Sequence, residues 1–469
     1  MIDTGAFKTA IVDLAVTGQL SAQFRADDSV EEIIAALPPL SNKRKKLLGQ
    51  SFEYGKQASL PDHWRWICLG EISSYGDTPT KAYFDDVSGD TWLLDLEDIR
   101  SGGQIIKKTR VHGKKFIGDK TVFSEGQVLY SKLRPYLKKV LVADEGGIST
   151  PELISFDTYG GVIPQYVVYC LLSSFTDRAI EKRSYGIKMP RIDAAFMVNL
   201  PIPVPPVSEQ HFIVDRVQEA FSQIDTIDGL QAQYADNLAV LKGKLIDAAI
   251  QGKLTEQLPE DGTAEDLYQH ILRGLNQTDT SAEIVQDDLS LEIPANWRWI
   301  RLKDITSSQM LNDGDWVLSK DMVPSGPVKL IQLGNIGDLK YRNKGFKYLT
   351  KERFEELNGK QIYPGYLLIN RLVADKMLVC IIPDIDGILI TAVDVCWVAP
   401  KEDFYDIKYL MYALASSGVQ QKVKEVGYGV TRFRISKTNL IDIPFPFPPL
   451  AEQKRIVDVL EAALTMTEV

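Results

Sequence analysis

Cysteine and histidine are scarce in this sequence, with four of each among 469 residues. None of them has CxxC or HxxxH spacing, so we expect no zinc site and a reducing compartment. Long apolar runs are also missing, since no segment approaches the ~18 apolar residues that a membrane helix needs. The first residues include the acidic Asp3 and lack the cationic start of a signal peptide. These absences predict a cytoplasmic protein that binds no membrane.

Acidic residues are in excess, but the excess is local. The formal net charge is −10, and residues 209–290 alone contain 16 acidic and 5 basic residues. The flanking segments are balanced, with 19 of each over residues 53–208 and with 18 acidic against 21 basic over residues 291–451. Two near-neutral domains joined by an acidic connector can still carry local basic clusters, so the net charge does not exclude nucleic-acid binding.

Motifs of catalysis and nucleotide binding are missing as well. The sequence contains no Gly-x-x-x-x-Gly-Lys-Ser/Thr phosphate loop and no Asp/Asn-Pro-Pro-Tyr/Phe run of amino-methyl transfer. Glu452 and Lys454 resemble half of a nuclease motif, but no upstream acid completes a metal site. A carboxylate at a helix N-terminus explains Glu452 better. His63 and His112 have no neighbour that would orient a general base. We therefore expect no catalytic residue, metal or cofactor in this chain.

An internal repeat organises the sequence. LPDHWRWICLGEI (60–72) recurs as IPANWRWIRLKDI (293–305), and GQVLYSKL (126–133) recurs as GYLLINRL (365–372). YGIKMPRI (185–192) recurs as YGVTRFRI (428–435), and LPIPVPPVSEQHFIVD (200–215) recurs as IPFPFPPLAEQKRIVD (443–458). The matches keep their order, which indicates two copies of one domain. Short apolar runs of strand type and amphipathic helical patterns alternate in each copy, so the predicted class is α+β.

A further match indicates that the repeat is circularly permuted. FKTAIVDLAVTGQL (7–20) aligns with LKGKLIDAAIQGKL (241–254), which follows the first copy. The two chain ends should therefore imitate the central connector and give the chain a pseudo-two-fold organisation. We divide the chain into an N-terminal helical segment that completes a distal conserved region (1–52), a first domain (53–208), a central helical spacer (209–290), a second domain (291–451) and a C-terminal helix (452–469).

The spacer predicts a long helix with a coiled-coil seam, because apolar residues recur in alternating steps of four and three. Gly252 is expected just beyond its end. A seam needs a partner, and we expect the antiparallel partner to be assembled from the two chain ends. The alternative is that the helices are buried separately in unrelated cores. The seam comprises Ile213, Val217, Ile224, Leu238, Leu241 and Leu245 in the spacer, Ile456 and Leu460 in the C-terminal helix, and Phe7, Ile11 and Leu14 in the N-terminal helix.

Each copy also carries basic, aromatic and amide residues near predicted turns. Surface domains often carry such residues, but lysine and arginine neutralise phosphates, and arginine and asparagine read base edges. Recurrence of the Tyr-Gly turn with its basic residues favours DNA binding. The candidates are Lys107, Lys108, Arg110, Lys132, Arg134, Tyr136, Tyr185, Lys188 and Arg191 in the first copy, and Lys340, Arg342, Asn370, Arg371, Tyr428, Arg432 and Arg434 in the second.

The proline-rich strap that enters a helix, LPIPVPPVSEQHFIVDRV and IPFPFPPLAEQKRIVDVL, resembles the specificity (S) subunit of type I restriction-modification systems. The paired WRW segments and LKGKLIDAAIQGKLTEQLPEDGTAEDLYQHIL extend the resemblance over nearly the whole chain. It implies a non-catalytic subunit with two target recognition domains, which reads a bipartite asymmetric site in double-stranded DNA. Two methyltransferase (M) subunits and the restriction (R) subunits would be its partners and would bind S-adenosylmethionine, ATP and Mg. A coiled-coil scaffold with two protein-binding heads is the alternative.

Overall fold

The computed structural model describes residues 2–50, 52, 54, 59–83, 85, 87–112, 118–181, 183, 189–279, 284, 292–429 and 432–467. The chain divides into two compact units, Met1–Gln233 and Tyr234–Val469. Both units mix helices with short strands, in agreement with the predicted α+β class. Each unit contains one of the two repeated domains together with helical segments from its flanks.

The first unit begins with helices and then builds its sheets. Its helices are α1 (Thr4–Val16), α2 (Val30–Ala35), α3 (Asn42–Leu47), α4 (Leu69–Ile72), α5 (Pro164–Leu172), α6 (Ser174–Glu181), α7 (Ala194–Val198) and the first part of α8 (Val207–Ile250). Its strands are β1 (Arg65–Cys68), β2 (Lys81–Ala82), β3 (Trp92–Leu94), β4 (Thr109–Arg110), β5 (Lys120–Phe123), β6 (Val128–Ser131), β7 (Val140–Val142), β8 (Gly147–Ser149), β9 (Leu153–Phe156) and β10 (Pro201–Val204).

The strands of the first unit form three sheets. Their orders are β2-β5-β8-β3-β4, β7-β6-β9 and the antiparallel pair β1-β10. Strand β6, with the sequence VLYS, is buried along its whole length. Val128 and Tyr130 face a core shared with α5, whereas Leu129 faces a smaller second core around Trp92. Alternate side chains point to opposite faces, so a strand between two cores loses its polar face.

The second unit repeats this construction. Its helices after α8 are α9 (Ala264–Leu275), α10 (Leu302–Ile305), α11 (Lys351–Glu356), α12 (Ile407–Ala415), α13 (Ser417–Val426), α14 (Lys437–Ile441) and α15 (Leu450–Met466). Its strands are β11 (Arg298–Arg301), β12 (Leu311–Asp313), β13 (Val328–Ile331), β14 (Lys347–Leu349), β15 (Leu367–Asn370), β16 (Val379–Ile381), β17 (Ile388–Thr391), β18 (Val395–Val398) and β19 (Pro444–Phe447).

The sheets of the second unit are ordered β12-β18-β15-β16, β14-β13-β17 and β11-β19. Strand β15 corresponds to β6, because Leu367 and Ile369 face the main core while Leu368 faces a second core around Trp397. In both units this doubly buried strand leads directly into a loop that carries predicted DNA-binding residues.

A buried glutamate fixes the proline-rich strap in each unit. Glu209, the third residue of α8, accepts a hydrogen bond from Trp64 Nε1 at 3.1 Å, and Glu452, the third residue of α15, accepts one from Trp297 Nε1 at 2.8 Å. The free N–H groups at a helix N-terminus favour a carboxylate there. The predicted role of Glu452 as a helix N-terminal carboxylate is confirmed.

Other contacts recur between units with the spacing of the sequence matches. Tyr166 and Tyr409 both donate a hydroxyl hydrogen bond to a strap carbonyl, at 2.7 and 2.9 Å. Asp13 on α1 accepts from the Ser174 N–H at 2.8 Å, and Asp247 on α8 accepts from the Ser417 N–H at 2.8 Å. The N-terminal helix thus makes with the first domain the contact that the end of the spacer helix makes with the second.

Two glycines end these corresponding helices. Gly18 follows α1 with φ +76°, and Gly252 follows α8 with φ +71°. A side chain would also collide, since an added Cβ would lie 2.5 Å from Pro61 Cγ in the first unit and 2.6 Å from Pro294 Cγ in the second. Glycine is required at both positions by the left-handed backbone and by this close approach.

The predicted seam is only partly buried. Ile213 and Val217 lie in the first core, Ile456 and Leu460 lie in the second, and Ile224 is buried as well. The remaining seam residues depart from the expectation: Phe7, Leu14 and Leu241 are exposed, and Ile11, Leu238 and Leu245 are half-buried.

The face that α1 buries differs from the predicted one. Val12, Ala15 and Val16 are its buried residues, because α1 packs on α5 and α6 of the globular domain. Polar groups link α1 to α8, including the Thr4 hydroxyl, which donates to Asp228 at 2.6 Å, and an ion pair between Lys8 and Asp225. The ends of the helices are therefore buried in globular cores, and a continuous heptad seam is not what holds α1 in place.

Candidate nucleic-acid interface

In each unit, the fold brings two of the predicted basic clusters together. The loop after β6 runs beside residues 189–192: the Arg134 N–H donates to the Pro190 carbonyl at 2.7 Å, and the Ile192 N–H donates to the Lys132 carbonyl at 3.1 Å. The loop after β15 makes the matching contacts, from the Val373 N–H to the Phe433 carbonyl at 2.9 Å and from the Ile435 N–H to the Arg371 carbonyl at 3.0 Å.

The loop after β6 forms a strained hook, residues Arg134–Lys138. Pro135–Leu137 make one turn of 3₁₀-helix, and the residues on either side, Arg134 and Lys138, both have φ +49°. A non-glycine residue in this left-handed region costs about 1–2 kcal/mol. Pro135 is buried, but Arg134 and Tyr136 are exposed, the tyrosine by 61%. The hook therefore holds an arginine and an aromatic ring out into solvent.

Lys138 anchors the hook to neighbouring segments. Its side chain pairs with Asp177 on α6 and donates to the Leu172 carbonyl at 3.3 Å, while its own carbonyl accepts from the Gly102 N–H at 3.1 Å. The neighbouring Lys139 Nζ donates to the Leu96 carbonyl, and burial together with the Arg134 charge lowers the pKa of Lys139. These lysines serve the fold, whereas Arg134 and Tyr136 point away from it.

Acidic residues neutralise several other predicted cations of the first unit. Glu152 lies 2.9 Å from Arg191 and 4.0 Å from Lys132. Lys108 and Arg110 pair, each at 2.8 Å, with the acidic turn between β7 and β8, Lys108 through Asp144 and Arg110 through Glu145. Lys107 is exposed. A phosphate would have to compete with these carboxylates for Lys108, Arg110 and Arg191.

Tyr428 and Arg434 form a brace in the second unit. Their backbones pair as an antiparallel bridge, and Arg434 Nε donates to the Tyr428 hydroxyl at 3.2 Å. The guanidinium lies 5.8 Å from the ring centroid, and the hydrogen bond that Arg434 donates to the Tyr428 hydroxyl raises the pKa of Arg434 above its ordinary value. Arg432 stands between them and is exposed. This brace presents one aromatic and two cations at the surface.

Asn370 and Arg371 do not lie on a DNA-accessible surface, contrary to the sequence-based expectation. Arg371 is 5% exposed, and its guanidinium donates to the carbonyls of Ile435 and Val393 at 3.0 and 2.7 Å. Its Nε also lies 3.0 Å from Asp313 in an ion pair. Asn370 is buried too and accepts from the Leu372 N–H. Both side chains hold the β15 loop in place.

Lys340 and Arg342 are exposed, as expected, on a turn next to the β15–β16 loop. Backbone hydrogen bonds fix this turn, including one from the Leu339 N–H to the Val379 carbonyl at 2.9 Å. Lys376, at the tip of that loop, pairs with Asp338 of the turn at 2.5 Å. Three of the predicted clusters of the second copy thus lie along one connected group of loops.

Comparison with known proteins identifies the architecture. A family model described as the type I restriction modification DNA specificity domain matches residues 294–468. The chain is 26% identical to the EcoDI specificity subunit of Escherichia coli over 54% of each chain, and so spans about half the length of that relative. It is 22% identical to the EcoEI specificity subunit of Escherichia coli over 96% of this chain and 87% of that one. The chain is thus similar to specificity subunits of type I restriction-modification systems, and the family model covers its second repeated domain and its C-terminal helix.

A solved structure concerned with complex assembly and conformational transition of the type I R-M system contains a chain of the same fold. Its TM-score is 0.61 at 19% identity, over 88% of this chain and 92% of that one. The family model and the curated relatives confirm the resemblance inferred from the strap and WRW motifs.

Sequence reasoning missed one pair of exposed aromatic residues. Tyr83 follows β2 and is 63% exposed, and Trp316, 233 positions later, follows β12 and is 68% exposed. The offset of the WRW match aligns the two, and this was the available signal. Tyr185 and Lys188, which we also predicted as DNA-binding, lie outside the described residues.

Two kinds of feature are absent from the described ranges. There, no cluster of three histidine, cysteine or acidic side chains could hold a metal ion. No helix in the same ranges combines the length and apolarity required to cross a bilayer.

Proposed function

We propose that this chain is the non-catalytic subunit that reads a bipartite, asymmetric site in double-stranded DNA, with one half-site for each target recognition domain. The observation that carries this proposal is that the two units share an internal frame but differ in their exposed loops. The glutamate–tryptophan and strap contacts recur, whereas the loop after β6 presents Arg134 and Tyr136 and the loop after β15 does not. A shared frame with different loops suits two different half-sites.

The helices supply the second part of the proposal. A circularly permuted repeat accounts for the contact that α1 and the end of α8 make in common with their domains. The 44 residues of α8 correspond to a helix of about 66 Å. We infer that its length sets the gap between the half-sites.

The middle of α8 carries exposed apolar side chains, among them Leu230, Tyr234 and Val240. Such a surface suits the two methyltransferase subunits that this family implies, with restriction subunits joining that core. S-adenosylmethionine, ATP and Mg would be bound by those partners. The same surface would serve the alternative, a scaffold with two protein-binding heads, so DNA binding is the property that separates the two functions.

A salt titration tests the proposal. The chain, assembled with its own methyltransferase subunits, should bind a duplex that contains its site with a logarithmic affinity that falls linearly with the logarithm of salt concentration. Binding to a duplex with scrambled half-sites should be at least about a thousandfold weaker. The methyltransferase subunits alone serve as the control. If the complex bound both duplexes equally at all salt concentrations, the chain would not be a specificity determinant.

A further inference from the structure

The hook at Arg134–Lys138 has no equivalent in the second target recognition domain. We infer that it enters the major groove of the half-site bound by the first domain, where Arg134 reads a guanine and Tyr136 packs beside it. This inference rests on the proposed function and adds the residues that make the two half-sites different.

The hook is preorganised. Left-handed residues close it on both sides. Hydrogen bonds from the Arg134 N–H to the Pro190 carbonyl and from the Gly102 N–H to the Lys138 carbonyl hold it against two neighbouring segments. The Lys138 side chain fastens its end to α6. A rigid tip that needs no ordering on binding gains affinity and holds its side chains in one geometry.

The exposed side chains of the hook are available for binding. In the described part of the chain, Arg134 and Tyr136 form no side-chain hydrogen bond, ion pair or ring contact, although Lys132 and Arg191 nearby share Glu152. The guanidinium of Arg134 is therefore free to present its paired donors. A guanine offers two acceptors, O6 and N7, on its major-groove edge, and a planar fork matches them.

The corresponding loops of the two domains differ in what they expose. Val373 aligns with Arg134, and both donate their backbone N–H to the neighbouring segment, at 2.9 and 2.7 Å. Yet Val373 is 4% exposed, and neither Val373 nor Met377, which aligns with Lys138, has a positive φ. The shared frame thus carries a buried valine in one domain and an outward arginine in the other. Only one half-site can be read by the hook.

The experiment maps DNA methylation. The chain and its variants are expressed with their own methyltransferase subunit in a bacterial host without other adenine methylation, and long-read sequencing locates the methylated adenines. Arg134→Lys retains the positive charge but loses the planar guanidinium with its paired N–H donors. We expect it to relax one position of one half-site, with discrimination there reduced about five- to a hundredfold, while the other half-site and the gap stay unchanged.

Three further variants test folding, the role of the tyrosine ring and the effect of removing an exposed side chain elsewhere. Arg134→Gly removes the side chain but suits the left-handed backbone, so its thermal unfolding midpoint should not fall, and its methylation should relax at the same position. Tyr136→Ala should also affect only that half-site. Ile34→Ala, which removes an exposed apolar side chain from α2 of the same unit, should leave the recognised sequence unchanged.

The inference would be overturned if Arg134→Lys kept the wild-type sequence, or if Arg134→Gly weakened methylation equally at all sites, because both results describe a phosphate contact. Relaxation in both half-sites would overturn the assignment of the hook to one of them. A wild-type chain that directed methylation to no bipartite sequence would instead contradict the proposed function itself. The two failures are therefore distinguishable.

Discussion

Replacement of Arg371 by alanine should destabilise the second unit rather than remove an external DNA contact. The side chain is buried, donates to two backbone carbonyls and pairs with Asp313. Breaking a buried ion pair costs about 3–5 kcal/mol. Asp313 keeps about a quarter of its side chain exposed and has Lys437 and Lys360 nearby, so we expect a value near the lower limit, about 3 kcal/mol.

The loss of stability in Arg371→Ala should depend on pH. Burial raises the pKa of Asp313, and Arg371 is the largest influence that opposes this rise. A carboxyl whose folded pKa lies above its unfolded value destabilises the protein when it is ionised, and this penalty disappears as the pH falls through the folded pKa. Without Arg371 the pKa rises further. The deficit of Arg371→Ala should therefore be largest at pH 7 and should shrink toward pH 5.

Peptide-resolved hydrogen exchange of the full chain measures this effect. Exchange of β15 and β18 should accelerate about a hundredfold in Arg371→Ala at pH 7, since exchange of a core strand reports the free energy of opening. Strands β6 and β9 of the first unit serve as the internal control, and Arg342→Ala, on an exposed side chain, should change neither set. Unchanged exchange in β15 combined with weaker DNA binding would refute the structural role of Arg371.

Three further predictions concern the shared frame and the long helix. Gly18→Ala and Gly252→Ala should each lower the free energy of unfolding by about 1–3 kcal/mol, because both positions are left-handed and crowded. Gly229→Ala, on the open helix surface, should instead stabilise the protein by up to about 1 kcal/mol, and thermal denaturation measures all three variants. Glu452→Ala should lower the free energy of unfolding in urea by about 2–4 kcal/mol, because the Trp297 N–H loses its buried acceptor. Glu452→Gln should recover part of this stability, and equal stability of the two variants would contradict the hydrogen-bond explanation. Four residues inserted beside Gly229 lengthen the helix by about 6 Å, so the gap in the methylated sequence should grow by about one or two base pairs of 3.4 Å. An unchanged gap would contradict the proposal that the helix sets the spacing of the half-sites.

The repeat is the part of this protein that the sequence alone determined. The offsets of the strap and WRW matches placed Trp64 opposite Trp297 and Glu209 opposite Glu452, and each pair makes the same hydrogen bond in its own unit. The equivalence of these contacts was predictable, because the residues that form the core contacts of a repeated domain are repeated with that domain. The left-handed glycine after α8 was likewise predictable, since its cause is local backbone geometry.

Burial of individual side chains was decided by tertiary structure. Lys132 and Arg371 align in the repeat, yet the first is half-buried beside Glu152 and the second is enclosed with Asp313. The heptad pattern likewise placed Phe7 in a seam, but α1 turned another face toward α5. A periodic pattern states which residues share a face, whereas the partner of that face is set by segments far away in sequence. That is why the sequence could indicate which loops carry candidate DNA-binding residues, while only the folded chain shows which of these side chains are exposed.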